Sequence, residues 1–184
     1  MTDPDQILAR TGGRELRRIV YTAEEIAARV REMGQEITDS FPEHEPLLVL
    51  GLLKGSFIFL SDIVREIARP LQVDFLVASS YGSGTTTSGD VKLLYDPEAD
   101  FHGRHVILVE DIVDSGTTIN RLVPLFEKRE PSSLGLCALL HKHVAPNLAM
   151  EPRWVGFHAP QEFLIGYGLD HSEDFRNLPF IASL

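Results

Sequence analysis

Apolar and polar residues alternate along the chain with the periods of helices and strands in turn. From Thr22 to Phe41, four apolar residues recur at helical spacing: Ile26, Val30, Met33 and Ile37. This spacing predicts an amphipathic helix, because residues three or four apart lie on the same helical face. Thr22 and Glu25 stand at the spacing of a capping box, which predicts where the helix starts.

Buried strands are predicted where apolar runs show no alternation. The predicted strands are Leu47–Leu53, Leu71–Ser80, Arg104–Glu110 and Ser132–Leu140. Helical spacing follows two of them, over Ser56–Ala68 and Ser115–Arg129, although Pro124 should kink the second helix. This order predicts an α/β fold with a parallel sheet, right-handed crossovers and helices on both faces.

Two further segments extend this core. Tyr81–Asp90 is almost entirely Gly, Ser and Thr, and apolar character resumes at Val91–Tyr95, which predicts a β-hairpin with a flexible tip. From about residue 150 to residue 184, short strand-like runs surround several glycines and predict a small hood lobe. With 184 residues, we expect one domain spanning the whole chain.

Composition excludes several classes of protein. Hydrophobic residues make up 43% and charged residues 24%, as in ordinary globular proteins. No apolar run approaches the roughly 20 residues needed to span a bilayer, and Met1–Gly13 lacks a signal-peptide pattern, so we expect a cytoplasmic protein without a membrane partner. The single cysteine, Cys137, lies among apolar residues and is interpreted as a buried strand residue rather than a catalytic thiol.

The net charge of −10 opposes binding to a polyanion over the surface as a whole. We therefore expect no nucleic-acid partner. A small polyphosphate substrate would require local compensation by backbone amides, a few lysines or arginines, and divalent cations. A phosphate site in this chain should be metal-assisted.

The strongest chemical signal is the thirteen-residue string VILVEDIVDSGTT, Val106–Thr118. A buried strand is predicted to end in Glu110 and Asp111, and the chain then passes Asp114 into a helix. Strand ends of open α/β sheets bind ligands, and the amides of a helix N-terminus attract phosphate. The carboxylates suit ribose hydroxyls or a hydrated cation. The alternative for DSGTT alone is an ordinary helix N-cap with acidic turn residues.

This string resembles the phosphoribosyl pyrophosphate motif of the type I phosphoribosyltransferases. Leu52–Phe57, LLKGSF, is similar to the pyrophosphate loop of that family, in which the peptide corresponding to Leu53–Lys54 is often cis. Ser80–Lys92 is similar to the flexible catalytic loop of the hypoxanthine-guanine branch. The resemblance implies that Lys54 and Gly55 bind pyrophosphate, and that loop closure brings Ser80 and Tyr81 over it.

Residues after the main motif extend the resemblance to the base site. Lys142 matches a lysine that donates to the purine 6-oxo group, Phe163 an aromatic residue that stacks on the base, and Leu164 a residue whose backbone reads the base edge. Asp170 matches a magnesium-binding carboxylate, and Arg176 an arginine that holds pyrophosphate. Each alone would be unremarkable, but their order and spacing follow the family.

The resemblance spans about Arg18–Phe180 and implies a hypoxanthine or hypoxanthine-guanine phosphoribosyltransferase acting in purine salvage. It implies Mg²⁺ as cofactor, with Glu110 and Asp111 holding the ribose hydroxyls and the metal. The 5-phosphate would lie against four residues of the helix start: Ser115, Gly116, Thr117 and Thr118. Asp114 would be the general base, and the enzyme would be a homodimer or homotetramer.

Three other functions share part of this pattern. A transferase for orotate or adenine would carry the main motif without the set Lys142, Phe163 and Asp170. A non-catalytic regulator that senses phosphoribosyl pyrophosphate and binds RNA or DNA would need a basic face. A P-loop nucleotidase would need GxxxxGK[ST], which is absent from the sequence.

Histidines mark two departures from the family. His141 and His143 flank Lys142, and His171 follows Asp170, where other polar or aromatic residues are expected. These histidines could tune base affinity or its pH dependence, and a zinc site at His141 and His143 is the alternative. The remaining histidines have no convincing partners in the sequence and are interpreted as structural: His44, His102, His105 and His158.

Overall fold

A six-stranded sheet forms the centre of the protein in a computed structural model, which describes residues 4–80, 91–143 and 147–184. In spatial order its strands are β4 (Val91–Tyr95), β3 (Leu71–Ser80), β2 (Leu47–Leu53), β5 (His105–Val113), β6 (Ser133–His141) and β7 (Trp154–His158). The pairings are parallel except that of β3 with β4. The predicted α/β class with a mostly parallel sheet is confirmed.

Helices cover both faces of this sheet. On one face lie α2 (Ala23–Asp39) and α3 (Phe57–Glu66), which pack on Leu47 and Val49 of β2. On the other lies α4 (Thr117–Glu127), which packs on Leu48 and Leu50. Successive residues of one strand therefore enter two different cores, which explains its continuous apolar run.

The sequence predicted the helix starts better than the helix ends. Thr22 caps α2 through a complete capping box with Glu25, as expected. Helix α3 ends two residues earlier than predicted and α4 likewise ends two residues earlier. Pro124 lies inside α4, and the helix continues through it.

The prediction that β5 ends at Glu110 and Asp111 is wrong. The strand continues to Val113, because β6 continues beside it and pairs Ile112 with Leu140 and Val113 with His141. Pairing with β2 stops earlier, at Val109. The two carboxylates therefore lie within the strand, just beyond the last residue of β5 that pairs with β2.

A second sheet of three strands forms a small lobe, in the order β1 (Arg18–Tyr21), β9 (Ile181–Ser183) and β8 (Leu164–Ile165). The sequence analysis did not anticipate β1 in this lobe. It also assigned residues 154–158 to the lobe, but these form β7 of the large sheet, paired with β6. A short helix, α1 (Pro4–Arg10), precedes β1, and Ile7 packs on the apolar residues of the lobe.

No helix within residues 4–80, 91–143 and 147–184 is long and apolar enough to cross a membrane. Cys137 is fully buried in β6, and burial raises the pKa of its thiol. This agrees with its interpretation as a structural residue. The predicted flexible tip, Tyr81–Asp90, lies outside the described residues.

Candidate active site

Two adjacent carboxylates lie near the carboxyl end of β5. Glu110 is buried, and burial raises its pKa well above the ordinary range, assisted by the charge of Asp111. Burial raises the pKa of Asp111 to about 6, although the amide of Ile112 donates to its Oδ1 at 2.9 Å. Burial disfavours the ionised form of both carboxylates. A ligand that donates hydroxyl hydrogen bonds or carries positive charge would stabilise that form, so the two residues favour such ligands.

A pocket of about 120 Å³ opens between β5 and the start of α4. Its lining comprises Glu110 and the segment from Ile112 to Ile119. Gly116, at φ +73°, turns the chain into the helix, and the hydroxyls of Ser115 and Thr117 lie 3.0 Å apart. Amides of a first helical turn lack acceptors within the helix, so this pocket suits a phosphate group.

The loop between β2 and α3 lies against Asp111 of the carboxylate pair. The Leu53–Lys54 peptide is cis, as the resemblance suggested. A Cβ atom on Gly55 would overlap Oδ2 of Asp111, and a Cβ atom on Gly168 would overlap the carbonyl oxygen of Gly55. The loop, the β5 carboxylate and the small lobe therefore meet at two glycines where no side chain fits.

Four charged residues meet beside this loop, and three of them were predicted. Arg176 pairs with Asp170 at 2.8 Å, and its Nη1 donates to the carbonyl of Gly168 at 2.7 Å. Lys54 and Arg176 also converge on Glu173, at 3.0 Å and 3.3 Å respectively. The Lys54 hydrogen bond is the main reason that the pKa of Glu173 is lowered. The structure thus brings Lys54, Arg176 and Asp170 together.

Lys142 follows β6 and faces the residues that follow β5. Its backbone amide donates to the carbonyl of Val113 at 3.0 Å, which continues the β5–β6 pairing by one step. Its Nζ lies 3.2 Å from Oδ2 of Asp114. The structure therefore joins the predicted base-reading lysine to the predicted general base.

The other predicted base contacts lie in the small lobe. Phe163 exposes 54% of its surface, and its ring meets that of His171 edge to face at a centroid distance of 5.4 Å. Leu164 is buried in β8 and pairs with Ser183. An exposed aromatic face suits stacking on a planar base.

One predicted contact lies beyond what the structure describes. The backbone of Ser80 ends β3 in register with Val91. Tyr81 lies outside the described residues. The roles of Ser80 and Tyr81 remain predictions.

Histidines form a contact that sequence reasoning missed. Nε2 of His143 lies 2.6 Å from Nδ1 of His158, and the ring centroid of His143 lies 3.8 Å from that of His141. Burial and the neighbouring His143 lower the pKa of His141. His158 was interpreted as lacking a convincing partner, and this is wrong, because parallel pairing aligns the ends of β6 and β7.

Within the described ranges, no three histidine, cysteine or acidic side chains converge as a ready-made metal site. The zinc alternative for His141 and His143 therefore gains no support there. A magnesium site requires fewer protein ligands, because proteins usually bind this ion through one or two carboxylates together with substrate oxygens and water. Glu110 and Asp111, with raised pKa values, fit such a cation arriving with a polyphosphate.

Glu173 is the charged residue of the site that sequence analysis missed. A signal was present, since Glu173 stands three residues before Arg176 and three after Asp170. That spacing would have indicated a local charge cluster if the segment had been expected to turn tightly. Positive φ angles at Ser172, Glu173 and Phe175 produce the turn.

Comparison with known proteins agrees with this geometry. The sequence model of the phosphoribosyl transferase domain family matches residues 18–172. A hypoxanthine phosphoribosyltransferase of Haemophilus influenzae is 40% identical over 168 residues, covering 90% of this chain and 94% of its own. One of Salmonella typhimurium is 44% identical over 161 residues, covering 87% and 90%.

Solved structures resemble the chain over almost its full length. A hypoxanthine phosphoribosyltransferase from Staphylococcus aureus superposes with a TM-score of 0.89 at 34% identity, covering 99% of this chain and 96% of its own. A hypoxanthine-guanine phosphoribosyltransferase from Bacillus anthracis superposes with a TM-score of 0.86 at 42% identity, covering 92% and 99%. Fold and sequence similarity thus extend across both sheets.

Proposed function

The chain belongs to the phosphoribosyl transferase family, and on that premise we propose that it is a purine salvage enzyme. It transfers the 5-phosphoribosyl group of 5-phosphoribosyl 1-pyrophosphate to N9 of hypoxanthine, guanine or both, and releases pyrophosphate. The observation that carries this assignment is the 3.2 Å pairing of Lys142 with Asp114 beside the phosphate-sized pocket. The names of its full-length relatives support the same reaction.

The Lys142–Asp114 pair matches one edge of a 6-oxopurine. O6 and N7 lie side by side on that edge. Lys142 can only donate and therefore suits O6, whereas an ionised Asp114 can only accept and therefore suits a proton on N7. Phe163 stacks on the face of the base, and the backbone of Leu164 reads its opposite edge.

The pocket at the start of α4 holds the 5-phosphate. Ser115, Gly116, Thr117 and Thr118 line this pocket and offer backbone amides and three hydroxyls as donors, and the helix dipole adds positive potential. Glu110 and Asp111 accept hydrogen bonds from the two ribose hydroxyls. Since their buried anions are poorly solvated in the free protein, hydroxyl donors relieve that cost when the sugar binds.

Pyrophosphate lies on the opposite side of the sugar from the base. Lys54, the amide of Gly55, and Arg176 bind it, and Ser80 and Tyr81 complete its enclosure. Asp170, with Glu110 and Asp111, would hold Mg²⁺, which when bound neutralises charge on the pyrophosphate leaving group. These groups are positioned before the reaction, so most of the rate gain comes from orientation and electrostatics.

In the chemical step, N9 of the base attacks C1 of the ribose as the bond from C1 to the pyrophosphate oxygen breaks. Configuration at C1 inverts, because the base arrives from the face opposite the leaving group. The base becomes more acidic as it donates its electron pair, and Asp114 accepts the proton from N7. Lys142 holds O6 and keeps the ring in position while this occurs.

A product assay tests the assignment directly. The protein is mixed with phosphoribosyl pyrophosphate, magnesium and one of four bases: hypoxanthine, guanine, xanthine or adenine. We expect a 5′-mononucleotide and equimolar pyrophosphate from hypoxanthine, guanine or both, with poor use of adenine. No nucleotide from any base would refute the proposal and favour a non-catalytic role.

The proposed enzyme is one catalytic domain that works in the cytoplasm as a homodimer or homotetramer. Self-association is supported by exposed apolar side chains at the β3–β4 edge of the sheet and the start of α3: Phe57, Val73, Phe75, Leu94 and Tyr95. Sedimentation velocity at two protein concentrations tests it. A monomer at both would contradict the oligomer.

A further inference from the structure

Glu173 lies in a tight turn of the small lobe that fixes its backbone. His171 and Asp174 form an isolated antiparallel bridge, and Glu173 adopts a φ of +70° between them. Its backbone amide donates to Oδ2 of Asp170 at 2.8 Å. The turn therefore sets the direction in which the Glu173 side chain leaves the backbone.

That carboxylate joins two cations from different parts of the fold. Nζ of Lys54 donates to both oxygens of Glu173 at 3.0 Å, although the two residues are 119 positions apart. Nη2 of Arg176 lies 3.3 Å from Oε2 of the same carboxylate. One carboxylate thus links a cation of the loop between β2 and α3 to a cation of the small lobe.

We infer that the Glu173 carboxylate occupies the pyrophosphate subsite of the free protein, where it binds Lys54 and Arg176 until pyrophosphate displaces it. This inference rests on the proposed function, which assigns those two cations to pyrophosphate. Pyrophosphate carries more charge and more acceptor oxygens than one carboxylate, so it wins the exchange. The exchange nevertheless weakens its binding, both as part of the donor and as the released product.

The solvent exposure of the Lys54–Glu173 ion pair limits how much Glu173 can weaken pyrophosphate binding. The side chains of Lys54 and Glu173 expose 65% and 64% of their surface, so the pair is screened by solvent. Exposed ion pairs are individually weak. Removing the competing charge from both cations should therefore tighten pyrophosphate binding by about three- to tenfold.

The test compares three proteins by calorimetric titration with magnesium pyrophosphate. Glu173→Gln removes the charge while keeping the shape of the side chain. Asp174→Asn is the matched control, because Asp174 is the next residue, is exposed, and pairs instead with Arg14 at 2.7 Å. Both variants change the net charge equally, so a general field effect would appear in both.

We expect Glu173→Gln to lower the Kd of magnesium pyrophosphate about three- to tenfold, and Asp174→Asn to leave it within about twofold. The difference should shrink as salt rises from 0.05 to 0.5 M (about 14 to 4 Å Debye length), because both partners are exposed. In turnover assays, the KM for phosphoribosyl pyrophosphate and the inhibition constant of pyrophosphate should fall in Glu173→Gln. The KM for the base should not change.

Three results would overturn the inference. Unchanged binding in Glu173→Gln would make the ion pairs incidental, and weaker binding would make Glu173 a helper of the ligand or of its magnesium. Equal tightening in Asp174→Asn would assign the effect to net charge. Failure of all three proteins to bind pyrophosphate would instead refute the proposed function, and with it the subsite.

Discussion

The ammonium group of Lys142 lies 3.2 Å from Oδ2 of Asp114, across the carboxyl ends of two neighbouring parallel strands. In the free protein each group therefore neutralises the other. A 6-oxopurine with its proton on N7 accepts from the lysine through O6 and donates its N7–H to the carboxylate, so each side chain gains a complementary partner when the base binds. Under the proposed function, the same pair would recognise the base and accept its proton.

Asp114→Asn should lower kcat by about 100-fold or more, because the amide keeps the shape of the side chain but cannot accept the proton. Steady-state kinetics with hypoxanthine and guanine measure this. The control is Glu127→Gln, at the far end of α4, which should leave kcat unchanged. Turnover of Asp114→Asn close to that of the parent would remove Asp114 from the mechanism.

Lys142→Ala should reduce the use of 6-oxopurines far more than the use of adenine, whose 6-amino group offers no acceptor to the lysine. Loss of a hydrogen bond to a charged donor costs about 1.5–3 kcal/mol, or roughly 10- to 150-fold in kcat/KM. The ratio of kcat/KM for hypoxanthine to that for adenine is the measurement.

Phe163→Ala provides the comparison, since stacking does not distinguish purines. We expect it to lower kcat/KM for hypoxanthine, guanine and adenine by similar factors. Efficient adenine use by the parent protein would contradict the 6-oxopurine assignment while leaving the ribose phosphate site intact. An unchanged ratio in Lys142→Ala would remove Lys142 from base selection.

Asp111→Asn should stabilise the ligand-free protein at neutral pH. The folded-state pKa of Asp111 is about 6, above its ordinary value of 3.8, so the native state binds more protons between these values. Stability contributed by this group is therefore lost as pH rises from about 4 to 6. The variant should gain up to about 3 kcal/mol at pH 7.5 and little at pH 4.

Urea unfolding with a chelator present, at both pH values, measures this gain. Glu43→Gln, at an exposed position, should show no comparable difference between the two pH values. The Asp111→Asn variant should also bind phosphoribosyl pyrophosphate more weakly, because the carboxylate holds a ribose hydroxyl. A variant less stable than the parent at pH 7.5 would contradict the unfavourable burial of this carboxylate.

Gly168→Ala should impair both stability and turnover, because a Cβ atom there would overlap the carbonyl oxygen of Gly55 in the loop between β2 and α3. Gly103→Ala is the matched control, since Gly103 also has a positive φ, of +70°, but open space around its Cβ position. The control should lose about 1 kcal/mol of unfolding free energy and keep its kcat/KM.

For Gly168→Ala we expect a larger loss of stability and a higher KM for phosphoribosyl pyrophosphate. Thermal unfolding and steady-state kinetics on both variants separate the two effects. If Gly168→Ala changed stability only as much as Gly103→Ala and left this KM unchanged, contact between the small lobe and the loop would not position the donor.

Local sequence determined most of the secondary structure. The helical spacing of Ile26, Val30, Met33 and Ile37 predicted α2, and a capping box predicted its start. The apolar run Leu47–Leu53 predicted both ends of β2 correctly. These signals are local, because helix periodicity, capping and strand burial depend on residues within a few positions. The candidate phosphoribosyl pyrophosphate motif at Val106–Thr118 could be found for the same reason, since its residues are contiguous.

Strand pairing decided what local sequence could not. β5 extends to Val113 because β6 continues beside it, and β1 joins the small lobe by pairing with β9, more than 150 positions along the chain. Whether a strand continues depends on a neighbour that supplies hydrogen-bond partners. That neighbour comes from a distant segment, so no local pattern specifies it.

The side-chain contacts of the site likewise come from the tertiary structure. Sequence and family resemblance named Lys142, Asp114, Lys54 and Arg176 as separate residues, but only the fold pairs Lys142 with Asp114 and brings Glu173 to both Lys54 and Arg176. Residue type determines which charges a chain carries. The distances between these charges, and hence their electrostatic interaction energies, depend on how β5, β6, the loop between β2 and α3, and the small lobe pack against one another.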